Sequence, residues 1–259
     1  MFLLSLLVPI SLGLLMDSRE ITGAPAWLKP GKFATSTAIY TLTLAWVFSY
    51  LPEWPRTRRI VGRTTAAVLV LEVAIIALQA ARGTTSHFNV GTPFDAVLFS
   101  VMGLAIFTQT FTSVAVAVAL WRQPFADPAL GYALRFGMTL TIVGAFVGGL
   151  MTSPTAAQLE AAEASGRIAV AGAHTVGAPD GGPGLPVTGW STEYGDLRVP
   201  HFMGLHALQA LPILTLFLFR GLKDQTRLRL TLVGATLYAL VFAALLLQAL
   251  TGRPLLALG

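Results

Sequence analysis

Thr64 to Ala81 reads TTAAVLVLEVAIIALQAA, a stretch whose one formal charge is Glu72. A helix needs about 20 apolar residues to cross a hydrocarbon layer of about 30 Å, and this run meets that requirement. Its centre, Val68-Leu69-Val70-Leu71, does not alternate between apolar and polar, and neither does Leu245-Leu246-Leu247. Barrel strands switch faces at every residue, so these runs argue for helices.

Six further segments have the same character: 2–16, 34–52, 95–121, 131–152, 201–219 and 230–250, with the quoted helix taken as 64–81. The expectation is an all-α, polytopic integral membrane bundle of about seven transmembrane helices, one domain over 1–259. A single structured external loop is expected at 153–199. The composition agrees: 54% hydrophobic and 11% charged residues, with a mean hydropathy of +0.71. The first segment lacks a basic stretch before it and a small-x-small cleavage pattern after it, so it reads as a retained helix rather than a removed signal.

The net charge of +5 is not a nucleic-acid signal here, because the basic residues cluster between helices as membrane topology requires. Arg56, Arg58, Arg59, Arg63, Arg122, Arg135, Arg220, Lys223, Arg227 and Arg229 fall on one side. Arg19, Lys29, Lys32, Arg82, Arg167, Arg198 and Arg253 fall on the other. The denser side is expected to be cytoplasmic, in a bacterial-type inner membrane with the N-terminus inside and the C-terminus outside. Cysteine is absent, so disulfides and thiolate metal sites are excluded.

Several intramembrane residues ask for a role. Glu72 and Gln79 lie seven apart, about 20° from each other around the axis, and the line continues to Arg82. A carboxylate at that depth should face the interior, either as an interhelical hydrogen-bonder or as a proton-handling group. Thr108-Gln109-Thr110-Phe111-Thr112-Ser113 should bond to neighbouring helices or to carbonyls one turn back. Gly144 and Gly148 form a small-xxx-small pair that predicts close backbone approach. Trp27, Lys29 and Lys32 read as interface anchors, with an anionic ligand or headgroup as the sharper role for the lysines.

In the external loop, Ser153-Pro154 and Gly166 predict a short helix capped by the serine. Extended runs at 168–176 and 185–190 around Gly181-Gly182-Pro183-Gly184 predict a hairpin. A loop of this length with its own structure suits a lid or docking surface.

All four histidines, His87, His174, His201 and His206, fall on the expected external side, together with Asp17, Glu20, Asp95, Glu193 and Asp196. Imidazole is the commonest metal ligand and titrates near neutrality. His87, His201 and His206 are therefore expected to bind a zinc-like ion or haem iron. His201 and His206 are about 140° apart on a regular helix and cannot share one point, so His87 with His206 is the favoured pair. Pro212 should kink this helix. In this scheme His201 is a third ligand or proton acceptor and Gln209 orients His206. Arg82 offsets substrate charge, while Gln79 and Glu72 carry protons inward. The structural alternative makes these histidines helix caps or interhelical hydrogen-bonders. His174, on a glycine-rich loop, has nothing in the sequence to fix it.

The expected function is a histidine-bearing, extracytoplasmic pocket that binds a metal ion or haem and acts on a membrane-soluble substrate, a quinol or lipid. The second reading is a non-catalytic accessory subunit or small-molecule sensor that docks a partner or a second copy. A transporter would rest on Glu72 and the mid-membrane Thr/Gln patch alone. Phosphate-binding loops, nucleophile elbows and zinc-protease helices are missing from the sequence.

Overall fold

The computed structural model describes residues 5–257. Its elements in chain order are α1 (Leu7–Met16), a tight β1–β2 pair (Glu20–Ile21 with Ala24–Pro25), α2 (Leu28–Ser49), α3 (Pro55–Ala81), α4 (Pro93–Arg122) and α5 (Pro128–Leu150). There follow α6 (Ala156–Ser165), β3 (Thr175–Val176), β4 (Gly195–Asp196), α7 (Arg198–Leu205), α8 (Ala207–Ile213), a π-turn (Leu214–Leu218) and α9 (Asp224–Leu250). The protein is an all-α membrane bundle. Helices α3, α4, α5 and α9 are each long and apolar enough to cross a bilayer, and α7 with α8 and the π-turn makes a fifth, bent span. The expected segments 2–16 and 34–52 are not among these spans: α1 has ten residues, α2 falls outside the set, and the start of the first segment at residue 2 lies outside the described residues.

Three spans start on the same device, a proline in the first helical turn, where its missing N–H costs nothing. Thr92 and Asp127 cap two of them, accepting from the backbone N–H of Asp95 and Leu130. Both α3 and α9 begin several residues before the apolar runs, so Arg56, Arg58, Arg59, Arg227 and Arg229 sit on helix rather than in loops. Hydropathy marks the hydrocarbon layer, whereas the backbone keeps its helical bonds into the interface. Leu42, Val97, Leu104, Phe107, Phe217 and Leu240 remain exposed on the helix flanks, the surface that contacts lipid.

Hydroxyls inside the helices bond back one turn, as Thr108 does to Leu104 (2.8 Å) and Thr110 to Ile106 (2.9 Å). Gln109 instead reaches across, accepting from Thr65 at 2.9 Å. A Cβ on Gly144 would lie 2.5 Å from the Cα of Gly204, so only a glycine lets α5 and α7 meet here.

The bent span corrects two expectations. It turns by 50° at the junction between α7 and α8, where His206 lies, not at Pro212, which is accommodated inside α8 ahead of the π-turn. The helix also starts at Arg198, which puts His201 within its first two turns.

The 153–199 segment lies across one end of the bundle as a lid. Its helix α6 is capped by Thr155, not Ser153, in a reciprocal box with Gln158, and ends at Gly166 with φ 68°. The expected hairpin is re-paired: β3 joins Gly195–Asp196 rather than 185–190, and Leu185–Trp190 closes a turn on itself. Backbone bonds from Val90 to Ala169 (3.0 Å), Ala171 to Phe88 (2.8 Å) and Ala173 to Met151 (3.0 Å) stitch the lid to the helix ends beneath. Lys32 of α2 reaches up to the Val187 carbonyl at 3.2 Å.

Candidate functional site

The connection between α3 and α4 is locked from below. Asp95 accepts from Gln79 Nε2 (2.8 Å), the Thr92 hydroxyl (2.6 Å) and Arg82 (2.5 Å). Arg82 also donates to Gln79 Oε1 and lies 4.8 Å over the Phe94 ring. The polar atoms of Gln79 and the charge of Arg82 are thus committed to holding the loop. Of the line Glu72–Gln79–Arg82, Glu72 stays open: it is 2% exposed and its Oε1 has no hydrogen-bond partner among the described residues.

Above this lock the chain makes a strained turn. Phe88 is buried with φ 63°, a conformation that a bulky residue rarely holds without tertiary compensation. The turn directs His87 toward the rings of Phe33 and Phe99, 5.6 and 6.4 Å away, and its Nδ1 meets the Ser86 hydroxyl at 3.0 Å. Phe88 then packs edge-on against His174 at 4.8 Å. One aromatic ring therefore separates the two imidazoles.

His174 is not the loose loop residue expected from its neighbours. Asp180 accepts from its Nδ1 at 2.6 Å, from its backbone N–H at 3.0 Å and from the Thr175 N–H at 2.9 Å. Burial pushes the Asp180 carboxyl up, but these bonds together outweigh burial and hold it below the ordinary carboxylate range. Burial likewise pulls the His174 ring below its usual value, more strongly than Asp180 raises it. Neutral His174 thus donates a hydrogen bond from Nδ1–H to the Asp180 carboxylate and keeps a bare lone pair on Nε2.

His201 is fixed in the same manner. Its Nδ1 donates to the Gly144 carbonyl at 2.7 Å, which selects the neutral tautomer with Nε2 free. Gly148 provides the seat, since a Cβ there would lie 3.0 Å from the imidazole Cε1. Burial first, then the Lys29 ammonium, then the His174 and His201 rings, press the His87 ring well below the ordinary histidine range. Lys29 and the His174 and His201 rings thus act on His87, His174 acts on His201, and Lys29 also feels Glu72 and Asp180. The centre therefore gathers Lys29, Glu72, His87, His174 and His201 from α2, α3, the α3–α4 turn, the lid and α7.

His206 joins this set through His201. Its ring stacks on Phe202 at 4.0 Å and its Nδ1 bonds the Phe202 carbonyl at 2.8 Å. Gln209 does not bond His206 through its side chain; its Nε2 donates to Thr43 at 3.2 Å, and its Oε1 is buried without a partner among the described residues. No group of three His, Cys, Asp or Glu side chains among the described residues is arranged to hold a metal ion. The expected ligand set His87, His201 and His206 is accordingly not assembled.

Sequence reasoning undervalued His174 and Lys29. For His174 the signal was Asp180, six residues on across the Gly177 turn, a carboxylate able to fold back on the ring. Lys29 carried no local signal beyond being a lysine at a helix entrance. Comparison with protein-family models, with curated proteins and with solved structures finds no match, so the site is argued from its own geometry.

Proposed function

We propose that the lid-covered centre binds a small membrane-soluble molecule bearing an ionisable hydroxyl, of the quinol class, and exchanges a proton with it. The observation that carries this reading is the convergence of three imidazoles under one lid, two with Nδ1–H tied to an acceptor and Nε2 left open. An imidazole backed by a carboxylate is a general base whose cationic form the carboxylate stabilises. In this reading His174 takes the ligand proton on Nε2 while Asp180 steadies the imidazolium. His87, kept neutral, accepts a hydrogen bond, and Glu72 receives protons on the inner side. The arginine-rich end faces the cytoplasm of an inner membrane, which puts the lid outside.

Titration of the detergent-purified protein with a short-chain quinol analogue tests the reading. His174→Ala should weaken binding about ten-fold or more, roughly 1.4 kcal/mol, and His87→Ala should weaken it as well. His206→Ala, whose ring is occupied with Phe202, should change it little. Equal affinity in wild type and both site variants would overturn the proposal.

A second reading is favoured by one feature of the same pair. Histidines that ligate metal or haem iron donate their other N–H to a carboxylate or carbonyl, as His174 and His201 do. A metal or haem centre would then need its remaining donors from the ligand or from lid movement. An absorption spectrum with elemental analysis of the purified protein tests it: stoichiometric metal, lost in a His174→Ala/His201→Ala double variant, would favour this reading over the first.

A further inference from the structure

We propose that a groove between α1 and α3 seats one acyl chain of a membrane phospholipid, which fills the gap between these helices below the lid end. The groove is a cavity of about 300 Å³ with a wholly apolar lining. Pro9 and Ile10 form its α1 side, Val73, Ala74 and Ala77 its α3 side, and the Trp27 indole its head. Pro9 and Ala74 are exposed, so the cavity opens sideways toward lipid.

The head of the groove is held in place. A Cβ on Gly13 would lie 2.5 Å from the Trp27 ring, so only a glycine lets the indole rest on α1. The indole Nε1 donates to Asp17 at 2.8 Å, and Arg19 pairs with the same carboxylate at 2.6 Å. Arg19 also donates to the Ala81 carbonyl at 3.1 Å, one turn beyond Ala77. The two helices are thus tied above the groove and parted along it. Indole and guanidinium groups mark the headgroup level of a bilayer, which puts the cavity at hydrocarbon depth.

Lining, size and depth favour an alkyl chain. Water finds no polar partner in such a lining. From Val70 to Ala77 the groove follows α3 for about 10 Å. Its volume has room for roughly ten groups the size of a water molecule. A partner helix, about 10–12 Å across with its side chains, is too thick to fill it. A single chain fits, and its contacts restore the dispersion attraction that an empty gap forfeits. At the rim Asp17 neutralises Arg19, so the site selects a chain and not a headgroup charge. Phe33, packed with Ile10 and Val73, lies 5.6 Å from His87, so apolar side chains stand between the groove and that histidine.

Native mass spectrometry of the protein released from vesicles of equal phosphatidylcholine and phosphatidylglycerol reads the occupancy. Wild type should retain one phospholipid, with no preference between the two headgroups. Ala74→Leu/Ala77→Leu fills the groove and should lower retention about ten-fold or more, through the clash it builds against the chain. Ala74→Leu alone, an apolar change at an exposed position, should keep the fold by circular dichroism and lower retention by a smaller factor. Ala115→Leu, exposed on α4 outside the groove, should retain lipid as wild type does. Wild type without lipid, or equal retention in the filled variants, would overturn the proposal. Displacement of the retained lipid by a short-chain quinol analogue would overturn it too, and would make the groove the tail site of the ligand at the histidine centre. A strong preference for phosphatidylglycerol would overturn selection by the chain alone.

Discussion

The two ends of the bundle are built on opposite principles. At the end away from the lid, Leu44, Val47, Leu51, Val61, Val116, Leu120, Leu130, Leu134 and Met138 close a continuous apolar core. Two of its cations are held in place: Arg135 lies between the rings of Trp121, Phe125 and Tyr132, 5.7, 5.3 and 5.0 Å away, and bonds the Leu120 and Gln123 carbonyls at the end of α4. Arg227 pairs with Asp127 at 2.8 Å. At the lid end the same helices carry an open carboxyl oxygen on Glu72 and imidazoles whose Nε2 makes no hydrogen bond among the described residues. Glu72 Oε1, a buried carboxyl oxygen without a partner among the described residues, lies on the stretch of α3 that leads to the lid end, and such local inconsistency is where function is to be sought.

The sharpest way to break this contrast is to destroy the contact that both ends share. Gly144→Leu puts its side chain into the Gly204 backbone and should cost about 3 kcal/mol or more, because neither backbone can retreat. Gly149→Leu, one turn on and with nothing within 4 Å of its Cβ, is the control and should be tolerated. Thermal unfolding in detergent measures both; equal melting temperatures would mean that the α5–α7 contact is not needed.

Next in size is Asp180→Ala, which strands the donors of His174 and Thr175 and should cost about 2 kcal/mol within the lid. Hydrogen exchange should accelerate over 173–196 and stay unchanged at the Arg135 end. The lid should also loosen in acid. His174 folds with its ring held below the ordinary value of about 6.5, so its contribution is full above that pH and drains as pH falls through it. Asp180, held below the ordinary carboxylate value of about 3.9, contributes above that pH and is lost lower still. Protection factors in the lid that do not change between neutral and mildly acidic pH would contradict this.

The smallest effect is expected at the sealed end. Arg135→Met should cost about 1 kcal/mol through lost ring and carbonyl contacts. Ligand affinity at the lid end should not change. A loss of affinity in this variant would show that the two ends are coupled.

Much of the scaffold was legible because it depends on near neighbours. Apolar runs locate helices, glycines four apart foretell a close crossing, and Thr108 or Thr110 finds its acceptor one turn back. The lid was less legible. A two-residue ladder has little energy of its own, so the side chains of Asp180 and Asp196 decide what β3 joins, and a Gly/Pro turn misdirects the eye to 185–190. The proline rule failed at Pro212 because the strain was absorbed by a π-turn, while the bend went to the junction at His206.

The amino-acid order alone determined that this is a helical membrane protein and that its histidines gather toward one end, since burial of apolar runs in lipid depends on composition over about 20 residues. Only the tertiary structure decided which of those groups meet. Lys29, Glu72, His87, His174 and His201 come from five separate segments, and their convergence is set by the Gly144–Gly204 crossing, the Phe88 turn and the closure of the lid. Long-range packing of that kind leaves no periodic trace in a sequence, because each contributing segment satisfies its own local rules whether or not the others arrive.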